Sequence, residues 1–529
     1  MSKHVLSFLI ICILATVADA DGMQMPAGTA PARQHHAVST TSAQAQAYFD
    51  QGLTLLYAFN RAAARRAFER AAAADPHLAM AQWGIAASYG SNINVPIDEA
   101  GERSAVTALQ RAQQLSAGAN ELDRAWIGAL VTRYTSAAKP DFAALDHAYA
   151  RAMANLSAKY PDDLDAATLY AESLMDLRPW ALYTPAGQPV QDTATIVATL
   201  ESVMRREPGH IGANHFYIHA TEASTTPERG LIAATRLSSM NFEPAAAHLV
   251  HMPAHTYMRT GAYESGVMSN ETATQHDRAY LANNEDREAS GYYQHNLTML
   301  ADAYSMLGNY AGAAAAQRRL ADAGDLVPAM YVPLRFGRWT DILASAQPPA
   351  SGDEPLRIAF WHFSRGMALA GTSDVAGART ELAAVKAADA ALKLPSINGY
   401  TNSSAALLGL AEDELGAKIA AAGGDVAAAV TLLEEAVTTQ DGMIYIEPPD
   451  WYHPVRESLG GLLLQQHRYA EAEAVFRADL RHNSRNPRSQ FGLAAALDGE
   501  GRTSEAILVR AQFLSAWQYA DTTLTIGAL

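Results

Sequence analysis

Two short segments near the C-terminal end constrain this 529-residue chain more than anything else in it. "RYAEAEAVF" begins at Arg468 and "RTSEAILVR" at Arg502, 34 positions on, and both place Glu-Ala at the same offset, Glu471-Ala472 and Glu505-Ala506. A 34-residue period is the length of one helix–turn–helix unit. Such a unit cannot bury its apolar face alone, so it stacks on copies of itself.

The same pattern opens the ordered part of the chain. From Ala43, two consecutive segments carry apolar and small residues at helical spacing, through Gly52, Leu55, Ala67, Phe68 and Ala71, and Asp75-Pro76 stops the second one. Small residues let two helices approach closely, and proline ends a helix because it lacks the N–H and clashes with the preceding turn. Further hairpin patterns lie at 260–277, 300–323, 364–385 and 417–437, with irregular gaps that predict insertions. Nothing reads as a sheet. The expected fold is therefore all-α: a tetratricopeptide-repeat helical solenoid with irregular insertions, running from about 43 to 520 within a unit of 43–529. Its concave groove is the natural place for a protein, peptide or small-molecule ligand.

The formal charge of −16 argues against nucleic acid, whose phosphates need a basic surface. Residues 1–20, "MSKHVLSFLIICILATVADA", combine Lys3, an apolar run from Val5 to Val17 and the small-x-small "ADA". This reads as a secretory signal peptide cut after Ala20, with a retained anchor as the alternative. The mature chain would be periplasmic or secreted, with no other stretch apolar enough to span a bilayer. Residues 21–42, rich in Gly, Pro, Ser, Thr and Ala, read as a disordered leader. Cys12 is the only cysteine. Cleavage would remove it, and with it disulfides, thiolate metal sites and thiol catalysis.

Histidine is concentrated in the middle of the chain. Of 17 in all, five fall within 215–255. "HFYIHATE" spaces His215, His219 and Glu222 as His-x3-His-x2-Glu. At about 100° per residue, His219 lies about 40° to one side of His215 and Glu222 about 20° to the other, so all three share one helical stripe. "HLVHMPAHTY" spaces His248, His251 and His255 at i, i+3 and i+7. Pro253 interrupts it, so the helix is expected to begin near His251 and leave His248 in the preceding loop. One intervening helix separates the two motifs, which makes theirs equivalent helices of adjacent repeats. Their stripes could converge in the groove, with His295 of "GYYQHN" joining from the next repeat.

Seven candidate ligands exceed what one ion takes. Either some orient the others by hydrogen bonds, or two ions bind, or some simply pack. Nitrogen and oxygen donors suit a divalent transition metal (Zn, Fe, Mn, Ni or Cu), and the lack of thiolate disfavours Cu(I). A metal-free polar network and plain core packing are the competing readings. No metalloprotease HExxH pattern supplies a general base, and no phosphate loop or G-x-S-x-G nucleophile elbow is present. The proline-rich "EPPDWYHPVR" at 447–456 reads as a rigid loop, and two readings are open for it: a packed corner, which is the plainer one, or a fold over the groove where Trp451 and Arg456 could meet a ligand.

The chain resembles a group of secreted bacterial tetratricopeptide-repeat proteins. The resemblance rests on "QGLTLLYAFN", "AMAQWGIA", "NHFYIHATEAS", "HLVHMPAHTYMRTGAY", "GYYQHN", "RFGRWTDIL" and "EPPDWYHPVRESLG", islands that span most of the chain after residue 20. It implies the repeat fold and, with it, a binding surface for partners. Three functional classes remain open: a binding scaffold with or without a structural metal, a metal-dependent hydrolase or oxidoreductase, and a metal-handling protein.

Overall fold

The computed structural model describes residues 30–323, 331–347, 355–392 and 402–529. The signal-peptide segment and residues 21–29 of the expected leader lie outside them. Among the described residues there is no strand, only one isolated bridge between Tyr183 and Pro189, and antiparallel helix hairpins follow one another along the chain. Each helix packs chiefly on its neighbours in sequence. The chain is an all-α tetratricopeptide-type solenoid.

The 34-residue period is present in the helices themselves: Tyr469–His482 and Thr503–Ala516 start 34 residues apart and are each 14 residues long. The glycine spacing explains how the hairpins close. Phe68, on the Arg61–Ala74 helix, is wedged between Gly52 on Ala43–Tyr57 and Gly84 on Ala79–Ala87; a Cβ at either glycine would overlap its ring. Phe476 repeats the arrangement between Gly460 and Gly492. The aromatic knob of one helix thus fills the glycine notches of both flanking helices, and the same sixteen-residue offset builds both ends of the array. The helix before Asp75 stops at Ala74, as the Asp-Pro pair requires.

Two extended apolar cores result, one from Val38 to Ala289 and one from Leu334 to Ala506. The later repeats turn back onto the middle of the chain. Tyr263 donates its hydroxyl to the Ser484 carbonyl at 3.1 Å, Arg259 donates to the His482 carbonyl, and Asp521 accepts from the backbone N–H groups of Tyr310 and Ala311. Gly261, at φ +73°, lies so close to the Ser484 carbonyl that a side chain there would collide with it. Arg335 and Glu457 form a buried ion pair across the C-terminal half, with Nη2 2.9 Å from Oε1.

Part of the expected disordered leader differs from expectation. Residues 30–42 form a docked strap. Gln34, His36 and Val38 are buried; Gln34 Oε1 accepts from Ile211 N at 3.0 Å, and His36 Nδ1 lies 2.9 Å from Asp165 Oδ2. Polar, aperiodic sequence misled here because the strap is held by side-chain and backbone hydrogen bonds to other repeats, which leave no periodicity in the strap itself.

Phe68→Ala is expected to destabilise the N-terminal repeats by about 3–5 kcal/mol, since it empties a wedge shared by three helices. The urea midpoint measures this, and an unshifted midpoint would show that the ring is not what closes the hairpins.

Candidate metal centre

Four helices build the site. Ile211–Glu222 carries His215, His219 and Glu222; Ala247–His251 carries His248 and His251; Pro253–Thr260 carries His255; Arg287–Met306 carries His295. Each local fold has a cause. The Ile211–Glu222 helix is capped by His210, whose Nδ1 accepts from Ala213 N at 3.1 Å. Gly212 lets the ring of Tyr57 lie against that helix where a Cβ would clash, and this brings the Tyr57 carbonyl to His215.

Pro253 acts as expected at a helix start, since it opens Pro253–Thr260. The position of His248 differs from expectation. It lies on a short helix of its own, Ala247–His251, whose axis continues through Met252 with helical backbone angles. Proline removes only its own N–H, so the chain stays helical through the joint and all three histidines of "HLVHMPAH" turn the same way.

The two motifs do meet. The imidazoles form two contiguous triads, His215/His219/His248 and His251/His255/His295. Within each triad one ligand atom from every residue lies within 4.8 Å of the others. The triads touch: the His219 and His255 rings are 5.5 Å apart, and those of His248 and His251 are 5.8 Å apart. All six rings are buried except His295, which is partly exposed.

Hydrogen bonds at Nδ1 set the direction of the rings. His215 Nδ1 donates to the Tyr57 carbonyl at 2.6 Å. His219 Nδ1 donates to Glu222 Oε1 at 2.9 Å, and His255 Nδ1 to Glu222 Oε2 at 2.6 Å. His251 Nδ1 donates to Asn270 Oδ1 at 2.7 Å; the orientation of that amide is fixed because Nδ2 donates to the Gly266 carbonyl. Four acceptors therefore hold four Nδ1 protons, and the Nε2 atoms of those rings are turned to one another. His215 Nε2 lies 3.1 Å from His248 Nε2, and His251 Nε2 lies 2.8 Å from His255 Nε2 and 3.0 Å from His295 Nε2. His219 Nε2 and His248 Nδ1 are buried with no hydrogen-bond partner. Two Nε2 lone pairs at 2.8 Å repel unless a positive charge lies between them, either a proton or a metal ion.

Glu222 was expected as a ligand. Its ligand atom does lie within 4.8 Å of those of His219 and His255, so the three form a further group able to hold an ion. In the metal-free arrangement its two oxygens also accept from one imidazole of each triad, which is how a carboxylate orients ligands and raises their basicity.

The electrostatics follow from burial. It drives the basicity of His215, His248 and His251 well below that of a free imidazole, aided by the neighbouring rings, and lowers His219 as well. His295 is lowered to about 3. Burial opposes ionisation of Glu222, yet His255 and His219 hold its carboxyl at about 2. His255 is the exception: burial lowers it, but Glu222 raises it above its ordinary value. It is the ring that accepts the proton when no metal is bound. Neutral imidazoles with free Nε2 atoms are the form in which histidine binds metal.

The proline-rich loop does fold over this region, with different residues from those expected. Trp451 is only 2 % exposed and packs on Phe360 and Phe363 in the C-terminal core. Arg456 pairs with Asp441. The residues facing the histidines are Tyr445, which lines a small cleft with His219, Glu222 and Trp180, and Glu447, which accepts from the Tyr445 hydroxyl at 2.8 Å. Burial raises Glu447 to about 7. Alternation and turn chemistry make the loop visible in sequence, but which of its side chains turn inward depends on the second core. Phe59 also carries no sequence signal. At φ +56° it lies beside both His215 and His248, its ring 4.6 and 5.4 Å from theirs.

No family model matches the chain, and no curated protein matches it. Among solved structures it is similar to yeast Tom70, at 12% identity over 90% of this chain and 92% of that one, with a TM-score of 0.31. It is similar to the tetratricopeptide-repeat domain of P58(IPK), at 13% identity over 88% and 100%, with a TM-score of 0.20. It is also similar to Ypp1, at 10% identity over 85% and 62%, with a TM-score of 0.34. These overlaps concern helical repeats only and carry nothing about the histidine site. Among the described residues no helix is long and apolar enough to cross a membrane.

Each group of the metal-free site contributes to the pH dependence of stability with a definite sign. An unfolded chain protonates its histidines near 6.5, whereas folded His295 resists down to about 3. Between those values the unfolded state binds more protons, so stability falls as pH drops below 6.5. Glu222 adds to this: its contribution is present above 4.5 and lost as pH falls toward 2. His255, raised by Glu222, works the other way, with a contribution that is lost as pH rises through its folded value. Buried carboxyls raised in the folded chain work in the same direction as His255; Glu447 and Asp277 at about 7, and Asp302 and Asp479 at about 6, are among them. By difference, the chelator-treated parent should therefore lose more of its urea midpoint between about pH 7.5 and about pH 5 than chelator-treated His295→Asn does, since only the parent carries the ring held at about 3.

Proposed function

We propose that this protein is a metalloprotein whose repeat scaffold holds a two-ion, all-histidine centre in its groove. His215, His219 and His248 would hold one ion, and His251, His255 and His295 the other. The observation that carries this reading is the set of four Nδ1 protons given to Tyr57 O, Glu222 and Asn270, which leaves the Nε2 lone pairs converging on two points. Core histidines that merely pack have no reason to meet nitrogen to nitrogen. Three protein ligands per ion leave a position open for water or substrate, the arrangement of a reactive rather than a purely structural centre. The cleft beside His219 gives a small ligand access. The remainder of the groove serves as a surface for a protein or peptide partner, as tetratricopeptide folds do. Secretion to the periplasm or beyond, with cleavage after Ala20, belongs to the same reading, as does membership of the secreted bacterial group that the motifs resemble.

Elemental analysis of the full chain after incubation with divalent transition metals tests it. Two ions per chain are expected. His215→Ala/His219→Ala and His251→Ala/His255→Ala should each retain one, with helical content unchanged by circular dichroism. No metal in the parent under any loading would end the proposal in favour of a metal-free ligand groove. Glu222→Gln should keep both ions but weaken binding by about 10–100-fold, because both clamped rings lose their acceptor charge.

A further inference from the structure

The two triads differ in composition from most sites that hold a pair of divalent ions, because they contain no anionic ligand. Six imidazoles, none of which carries negative charge as a ligand, face one another, and the one carboxylate in contact with them, Glu222, accepts from two Nδ1 groups. The residues are buried, so positive charge placed there is poorly solvated. Two divalent ions would bring four charges against the single charge of Glu222. Two monovalent ions would bring two. Copper is the transition metal among those suited to imidazole that is stable in both states.

Resting on the two-ion reading, we infer that the pair is copper, and that its substrate is dioxygen bound between the triads. Thiolate-free ligation, read from sequence alone, points away from Cu(I); burial of an uncharged ligand set reverses that, because the low-charge state is the one such a set tolerates. The electron balance closes within the site. Each Cu(I) gives one electron and becomes Cu(II). Dioxygen takes both and becomes a bridging dianion, the π bond between its oxygens is lost, and no proton or external reductant is consumed. The two added positive charges on copper are cancelled by the two negative charges on the bridge, so the buried site keeps its net charge throughout. Release reverses the same transfer.

The rest of the site fits a small uncharged substrate. The cleft reaching His219 is walled largely by apolar side chains, Ile93, Met175, Leu182 and Trp180, with Arg178 and Tyr445 as polar members beside Glu222, and it would admit a molecule as small as dioxygen. The Trp180 ring stands edge-on to His219 at 5.6 Å. Rings of the two triads lie 5.5 Å apart at His219–His255 and 5.8 Å apart at His248–His251, a closeness that would let one diatomic molecule reach an ion held by each triad. A single Cu(I), which gives one electron on becoming Cu(II), would not supply the two that dioxygen takes.

The test is anaerobic loading of the metal-stripped full chain with Cu(I), followed by addition of dioxygen. We expect two coppers per chain, uptake of one dioxygen per copper pair, a new charge-transfer absorption, and no electron paramagnetic resonance signal, since the two Cu(II) spins would couple. Removing dioxygen should reverse the absorption. His295→Ala, whose partly exposed ring is the least disruptive to remove, should fold normally and retain the first triad's copper, but lose at least nine-tenths of the uptake. Two coppers without uptake, or with the resonance signal of isolated Cu(II), would overturn the dioxygen inference and leave the two-ion centre standing. Two ions of zinc or nickel with less than one copper would overturn the choice of copper. Fewer than two ions of any metal would remove the reading on which it rests.

Discussion

The carboxylate of Glu222 is the constraint on which the site depends. It is buried, it lies at the end of one repeat's helix, and it binds a histidine of its own helix with one oxygen and a histidine of the next repeat with the other. A buried carboxylate needs partners that compensate its lost hydration. Here those partners are the very rings whose remaining nitrogens must face inward. The same two hydrogen bonds therefore satisfy the charge, fix two tautomers and lock the relative positions of adjacent repeats.

Scaffold and site share this logic. Repeats are held by apolar wedges such as Phe68 and Phe476 in glycine notches, which are tolerant of register only in whole helical turns. That regularity places equivalent helices side by side and makes motif positions in neighbouring repeats converge. The site then needs the irregular parts. The Pro253 joint keeps His248, His251 and His255 on one continuous stripe, and the return of the C-terminal repeats onto Tyr263 and Gly261 sets the 442–454 loop, with Tyr445 and Glu447, beside His219 and His255. The N-terminal strap reaches the same helix from the other side through Gln34 and Ile211.

Much of this was legible in the residues. The 34-residue spacing and the Asp75 stop gave the hairpins, because helix period and proline chemistry are local. The His-x3-His-x2-Glu stripe gave a shared face for the same reason. The structure departs from the sequence reading wherever distant segments decide. For Trp451 the residues left a packed corner and a groove position open, the corner being the plainer reading; it is core because Phe360 and Phe363 pack there. Arg456 looked available and is taken by Asp441. Asn270 and the Tyr57 carbonyl carry no motif at all, since an acceptor for an imidazole proton can come from any residue type that folding brings near.

What the sequence by itself determined is the helical period, the punctuation between hairpins, the net acidity, and the presence of an unusual density of imidazole on two helical faces. These depend on interactions within a few residues, and their spacing is written in the chain. Only the tertiary structure decided that the seven candidates divide into two triads and one clamp, that four Nδ1 atoms are already engaged, and that Tyr445 and Glu447 close the site in place of Trp451 and Arg456. Those outcomes depend on contacts between residues up to about two hundred positions apart, and no local pattern records which side of a ring such a contact will leave free.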